Sequence, residues 1–391
     1  MKGDVLRLKK TGIKINGIES RREFFFYGFV LCFAVSKAWG LDSADDSYKL
    51  LAMGGLGFWL SVLRDTKFSL KEYISMICLL VVGASSLLFS GKVGVLFPFL
   101  LFTASKDIDI EVVLKRLSGI WLGVLVFKTF LALSGVVGTT VIIQNRLFMD
   151  NAQRYDLGYG HPNLYHVVFF IGVSLFCYTH QKLRIMYYIV FFLLNLLVYK
   201  LTYSTTGWVL TALSILGFAV ITLIEDHCVK YYVLSRFLGM LCVVPMIMSF
   251  LLAYLYRGDS SEWIRINSFL TGRLNWNYMY IHKYSVPLLG QRFDNRVPNM
   301  LDNAYIFILY RYGIIVFSIL FVGYVLVLVR LVKKDDIRKI LFCFIFLIYG
   351  FIEQFIQNCF MNFSMFFLCE LMWEVTKDNG KESKNRKNDR C

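Results

Sequence analysis

Residues 237–256 read FLGMLCVVPMIMSFLLAYLY, and residues 257–303, directly after them, read RGDSSEWIRINSFLTGRLNWNYMYIHKYSVPLLGQRFDNRVPNMLDN. The first segment is uncharged and has the length, about 20 residues, that an α-helix needs to cross a bilayer. The second is the longest polar break in the chain. Apolar runs alternate with shorter polar segments from one end to the other. This alternation predicts an all-α polytopic membrane protein, because helices satisfy their backbone hydrogen bonds without water.

The composition supports this fold class. Of 391 residues, 57% are hydrophobic and 18% are charged, whereas about a quarter of the residues in a soluble domain are charged. The net charge of +15 comes from basic residues dispersed over short segments between the apolar runs. Such dispersal argues against a nucleic-acid partner and matches the excess of Lys and Arg in cytoplasmic loops.

The apolar runs predict about twelve transmembrane helices with both termini cytoplasmic. Residues 1–22 form a basic cytoplasmic segment, residues 23–375 the helical bundle, and residues 376–391 a basic cytoplasmic tail. Two large extracytoplasmic loops are predicted, over residues 144–163 and 257–303. Both are rich in arginine although the positive-inside rule disfavours arginine there, which indicates a task beyond topology.

The first loop contains RYDLGYGHPN, which runs from Arg154 to Asn163. Pro162 suits the first turn of a helix. A helix N-terminus with Arg154 and His161 beside it favours an anion. The alternative is a capped junction between loop and helix that binds nothing.

The second loop contains two predicted helices. Asp259 and Glu262 have the spacing of a capping box, which predicts a short helix ending near Gly272. The segment NWNYMYIHKY predicts an amphipathic helix along the membrane interface. Arg273 and Trp276 share a face of that helix, where a guanidinium suits phosphate oxygens and an aromatic ring suits a sugar. A membrane-surface helix without a ligand explains the same pattern.

The loop returns to apolar sequence at LDNAYIFILYRYGII, residues 301–315. Asp302 either caps the following helix or acts as a catalytic carboxylate, and the sequence leaves both roles open. The apolar run that follows, from about Ala304 to Val332, is too long for one perpendicular span of about 20 residues, so a break is expected near Gly313. Arg311 lies within it and needs a partner or a polar cavity.

Two further charges fall inside predicted spans, Lys128 and Glu353. An ionised side chain at that depth is costly unless it is paired or hydrated. The two residues therefore either pair with each other or line a polar cavity below the loops, and pairing is the favoured expectation.

The motifs RYDLGYGHPN, LTYSTTG, TGRLNW, PLLGQ and LDNAYIFILYRYGII occur in this order along a many-span chain with two large outer loops. In this arrangement the chain resembles the O-antigen polymerase/ligase superfamily, the Wzy-type bacterial polysaccharide polymerases. The resemblance implies a glycosyltransferase in the cytoplasmic membrane of a bacterium. It would join polyprenyl-pyrophosphate-linked oligosaccharides at the outer face, by inverting transfer without a metal or other cofactor, to make capsule, exopolysaccharide or O-antigen. Its partners would be the lipid bilayer, a flippase and a chain-length regulator.

The resemblance also implies roles for individual residues. Asp302 and His161 are the candidates for the general base, and arginines would stabilise the leaving pyrophosphate. The candidates for substrate binding are Arg154, Arg273, Trp276, Asn163, Asn303, Arg292 and Arg265. Asp302 stands where ligase-like relatives have His, which weakens the ligase alternative.

Three other functions stay open. A glycan ligase would use a different acceptor, and a non-catalytic assembly partner would tolerate loss of the outer arginines. A transporter or flippase of lipid-linked sugars predicts polar groups near the membrane midplane and a long central inside loop. Here the inside loops are short and the polar residues gather in the predicted outer loops.

Overall fold

The computed structural model describes residues 21–146, 149–225, 232–293 and 301–373. The described chain is mostly helical, with one antiparallel β-hairpin. The helices are α1 (Arg21–Ala38), α2 (Asp46–Asp65), α3 (Leu70–Ser90), α4 (Leu96–Ala104), α5 (Ile110–Leu133), α6 (Pro162–Thr179), α7 (Ile185–Thr202), α8 (Thr205–Glu225), α9 (Tyr232–Leu241), α10 (Val244–Leu255), α11 (Ser261–Phe269), α12 (Arg273–Lys283), α13 (Ala304–Phe307), α14 (Ile314–Lys334) and α15 (Ile337–Gly350). The strands are β1 (Val141–Arg146) and β2 (Met149–Tyr155), and a short apolar helix covers Phe363–Trp373.

The protein is a helical membrane protein. Within the described residues, six helices are long and apolar enough to cross a bilayer: α3, α6, α7, α8, the continuous pair α9–α10, and α14. The remaining predicted spans correspond to helices that are shorter or carry more charge, such as α4 with 9 residues and α15 with 14 residues. The count of about twelve spans therefore stays a prediction.

Local sequence signals explain where these helices begin and end. The Ser69 side chain accepts from the Glu72 backbone N–H and Glu72 accepts from the Ser69 N–H, a capping box that starts α3. The helix ends at Gly91, whose φ of +67° is the left-handed conformation common at C-caps. Pro162 occupies the first turn of α6, as the sequence predicts.

The central helix of the bundle is α6. Of its apolar 18-residue segment 78% is buried, against 22% of the corresponding segments of α3 and α7. It packs against α5, α7, α8 and α15. The ring of Phe170 on α6 meets Tyr349 on α15 edge-on, with centroids 4.7 Å apart. His166 joins α6 to α7, because its Nε2 lies 3.1 Å from Asn195 Oδ1 and its Nδ1 lies 3.0 Å from Thr202 Oγ1.

Contacts between helix ends define the two ends of the bundle. At one end, called the hairpin end from here on, Tyr159 just after β2 donates to the Ala38 carbonyl that closes α1, at 2.9 Å. At the opposite end, Arg338 of α15 donates to the Cys177 carbonyl near the end of α6, at 3.1 Å. Helix α15 therefore runs toward the hairpin end, where it ends at Gly350.

The structure differs from the prediction at the first loop. Residues 144–163 were expected to form a long polar loop, and no strand was predicted there. Strands β1 and β2 pair across part of this segment, with Val141 opposite Tyr155 and Ile142 opposite Arg154. The expected break near Gly313 is confirmed, because residues 308–312 form a single π-helical turn that separates α13 from α14.

Candidate functional site

The Arg154 side chain holds the hairpin end together. It is fully buried, and its guanidinium donates to three oxygens: Thr202 O at 2.7 Å, Gln144 Oε1 at 2.9 Å and Asn163 Oδ1 at 2.6 Å. These contacts join β2 to β1, to the C-terminus of α7 and to the N-terminus of α6. Arg154 thereby brings RYDLGYGHPN next to LTYSTTG, and in this conformation its donors face protein atoms.

The His161 side chain is exposed at the start of α6. Its Nδ1 accepts from the Asn163 backbone N–H at 3.1 Å, so His161 is the N-cap of the helix. This is the capping role that the sequence analysis gave as the alternative to anion binding. The assignments of His161 as a base and of Asn163 as a substrate ligand stay predictions.

The long loop contributes a second cluster, here called the Arg273 triad, formed by Arg273, Asp302 and Glu353. Arg273 Nε lies 3.0 Å from Asp302 Oδ2, and Arg273 Nη2 lies 3.2 Å from Glu353 Oε1. Its Nη1 also donates to Thr271 Oγ1 at 2.6 Å. The planar fork of a guanidinium allows one arginine to bridge two carboxylates.

The triad corrects the expected partner of Glu353. Lys128 and Glu353 were expected to pair with each other, but Glu353 pairs with Arg273. Lys128 instead donates to the Trp39 carbonyl and lies 4.0 Å from the centroid of the Tyr159 ring. The expectation was wrong because Glu353 lies beyond the end of α15, not inside a helix.

Asn303, not Asp302, caps α13. Asn303 Oδ1 accepts from the backbone N–H groups of Tyr305 and Ile306, at 3.0 and 3.1 Å. Its Nδ2 donates to Ser249 Oγ at 2.8 Å and to Phe351 O at 3.1 Å, so the residue is buried and structural. The capping alternative for Asp302 is therefore wrong. Asp302 is left one-third exposed beside Arg273.

The surroundings of Glu353 in the triad shift its pKa. Burial raises the pKa of Glu353 to about 7, the Arg273 charge opposes that rise, and the Asp302 charge adds to it. A carboxyl group with a pKa near 7 changes its charge around neutral pH, so the attraction between Glu353 and Arg273 depends on pH.

The remaining predicted ligands have different surroundings. Trp276 is half-buried on α12, one turn after Arg273, and packs against the small core around Tyr280. Arg265 is exposed on α11. Arg292 is exposed and follows the PLLGQ motif. The structure thus brings Arg273 together with Asp302, and Arg154 together with Asn163, as two groups of contacts.

Both groups belong to the hairpin end of the bundle. The triad lies there because Glu353 follows the C-terminus of α15. Near this end of α15, the Tyr349 ring packs on Phe170 of α6. In the described part of the chain, no group of three or more His, Cys, Asp or Glu side chains is arranged to hold a metal ion.

The chain matches no protein-family model, no curated protein and no solved structure. The functional argument therefore depends on the geometry of these two clusters and on the motifs that form them.

Proposed function

We propose that this protein is a polysaccharide polymerase of the bacterial cytoplasmic membrane. It joins polyprenyl-pyrophosphate-linked oligosaccharide repeat units at the outer face by inverting glycosyl transfer without a metal. The observation that carries the proposal is the Arg273 triad, in which one guanidinium bridges two carboxylates at the hairpin end of a membrane bundle. One of those carboxylates has a pKa of about 7.

The triad supplies the groups that such a transfer needs. A hydroxyl of the acceptor sugar attacks the anomeric carbon of the donor, a new C–O bond forms, and the bond to the pyrophosphate breaks. Asp302, the more exposed carboxylate, accepts the hydroxyl proton. The Arg273 charge favours the ionised form of Glu353, whose pKa burial raises, and it offsets negative charge on the departing pyrophosphate. Glu353 is the positioning residue that holds Arg273.

The decisive experiment is reconstitution. The purified protein in lipid vesicles, given a synthetic polyprenyl-diphosphate-linked repeat unit, is expected to make a ladder of products that differ by one repeat. A single transfer to an unrelated lipid acceptor would identify a ligase. Movement of the lipid-linked unit across the vesicle without a new glycosidic bond would identify a flippase. Either of the last two results would overturn the proposal.

The rate of chain extension is expected to depend on pH through Glu353. The folded pKa of about 7 lies above the ordinary value of 4.5, so Glu353 is protonated below pH 7 and ionised above it. Only the ionised form holds Arg273 by charge, and the rate is therefore expected to rise with pH through about 7. Glu353→Gln should remove this inflection and lower the plateau rate about 10- to 100-fold, the worth of one charged hydrogen bond.

The control for this profile is Glu262→Gln, which removes an exposed carboxylate on α11. It should keep both the inflection and the rate. An inflection near pH 7 that survives in Glu353→Gln would show that another group titrates.

A further inference from the structure

A backbone clamp brings two other arginines together at the hairpin end, where α14 begins. The Gln291 N–H donates to the Arg311 carbonyl at 3.1 Å, and the Ile314 N–H donates to the Pro287 carbonyl at 2.9 Å. The PLLGQ motif thus lies directly against the π-helical turn. Arg311 supplies the carbonyl that the Gln291 N–H binds, and Arg292 immediately follows Gln291.

The Arg311 guanidinium is buried without a carboxylate among the described residues. The residue is 8% exposed, and its Nε has no hydrogen-bond partner in the described part of the chain. The guanidinium carbon lies over the ring of Phe293, 4.9 Å from the centroid. A π-helical turn often marks a functional site, and an unpartnered buried donor is costly unless something else satisfies it.

Arg292 adds a second positive charge beside the first. The pKa of Arg311 is lowered, mainly by its burial and to a smaller extent by the Arg292 charge. The Arg292 Nε lies 3.4 Å from the position that a Cβ would occupy at Gly91, the C-cap of α3. The partial negative charge of that helix end favours one cation, but it does not explain two.

The contrast with the Arg273 triad shows what this pair lacks. Arg273 is bridged to two carboxylates, whereas Arg292 and Arg311 make no ion pair with any carboxylate in the ranges that the structure describes. Two neighbouring guanidiniums repel each other unless an anion lies between them. The surroundings also suit an amphipathic molecule, because Leu288 beside the clamp and Leu88 on α3 are 64% and 72% exposed.

We infer that Arg292 and Arg311 form a binding site for the phosphate or diphosphate group of an amphipathic ligand, separate from the Arg273 triad. The paired forks would bind phosphate oxygens in the bidentate manner that guanidinium groups favour. The inference adds the buried Arg311 to Arg292, which the sequence gave as a candidate for substrate binding, and it does not depend on the proposed glycosyl transfer because it needs only a phosphate-bearing ligand at the hairpin end. The ligand is either a lipid whose chain lies along the apolar rim or a free phosphate compound.

Direct binding to the purified full-length protein tests the site, with no transfer reaction involved. The probes are inorganic pyrophosphate, farnesyl diphosphate and farnesol, measured by calorimetry in detergent. We expect pyrophosphate and farnesyl diphosphate to bind, and we expect no binding of farnesol. Tighter binding of farnesyl diphosphate than of pyrophosphate would identify a lipid, and equal binding a free phosphate compound.

Variants then assign the binding to the two arginines. Arg292→Gln and Arg311→Gln should each weaken both phosphate probes about 10- to 100-fold, the worth of a hydrogen bond between charged groups. Arg257→Gln removes an exposed arginine at the same end of the bundle and should change neither affinity. The assay measures binding without transfer, so a protein that binds both phosphate probes through Arg292 and Arg311 but makes no product ladder would overturn only the proposed catalysis.

Two outcomes would overturn the inference. The first is unchanged affinity in a folded Arg292→Gln variant, whose exposed side chain can be replaced without disturbing the core. The second concerns Asp294, an acidic residue close in sequence that lies outside the described residues. If Asp294→Asn and Arg311→Gln lower the thermal midpoint equally, and neither alters probe binding, Arg311 belongs to an internal ion pair. The site predicts equal or tighter probe binding in Asp294→Asn.

Discussion

Asp302→Asn is expected to lower the rate of glycan chain extension by about two to four orders of magnitude, the usual contribution of a general base. The amide has nearly the shape of the carboxylate, and its oxygen can still accept from Arg273 Nε, 3.0 Å away in the native protein. What the variant loses is the capacity to accept a proton from the acceptor hydroxyl. Product ladders from vesicles reconstituted with a synthetic lipid-linked repeat unit measure the change.

The matched control is Asp259→Asn. Asp259 is an exposed aspartate in the same long loop, and Ser260, not Asp259, precedes α11 as its N-cap. This variant should extend chains at the native rate. An Asp302→Asn protein with native chain extension would exclude Asp302 as the base. If Glu353→Gln were then inactive, the role would pass to Glu353.

The helices were largely predictable because their signals are local. Long apolar runs, a proline in the first turn of α6 and a break at Gly313 all act over a few neighbouring residues. The β-hairpin was missed because QNRLFMDNAQRY is a mixed polar sequence whose strands are held by tertiary contacts. Among those contacts are the hydrogen bonds of Arg154 to α6 and α7.

The candidate site was predictable only in part. The sequence selected Arg273 and Asp302 through their motifs, and the structure brings them within 3.0 Å of each other. The sequence analysis did not place Glu353 with these two residues, because Glu353 is 80 positions from Arg273 and lies in an apolar run. An isolated charge in such a run was the available signal, but it does not name a partner. The same limit applies to Arg311. Backbone hydrogen bonds between the PLLGQ segment and the turn before α14 place Arg292 near it, and the sequence gives no local signal for those bonds.

Gly313→Ala is expected to destabilise the protein strongly, because it breaks that clamp. Gly313 has a φ of +93°, where a non-glycine residue costs about 1–3 kcal/mol. A Cβ there would also lie 2.6 Å from the Leu288 carbonyl oxygen and 2.7 Å from the Gly290 nitrogen. Both are backbone atoms, so the two segments must separate and the hydrogen bond from Ile314 to Pro287 is lost.

Two glycine variants separate the causes of this loss. Gly272→Ala also has a positive φ, +83°, but its ψ of −3° is left-handed helical and a Cβ there meets nothing within 4 Å, so it measures the cost of a left-handed residue without a clash. Gly119→Ala in α5 also meets nothing within 4 Å, and it has helical geometry that alanine favours. Thermal unfolding in detergent, followed by tryptophan fluorescence, should give the lowest midpoint for Gly313→Ala, an intermediate one for Gly272→Ala and a native or higher one for Gly119→Ala. Equal midpoints for Gly313→Ala and Gly272→Ala would mean that the PLLGQ segment does not touch the turn before α14, and the pairing of Arg292 with Arg311 would lose its structural basis.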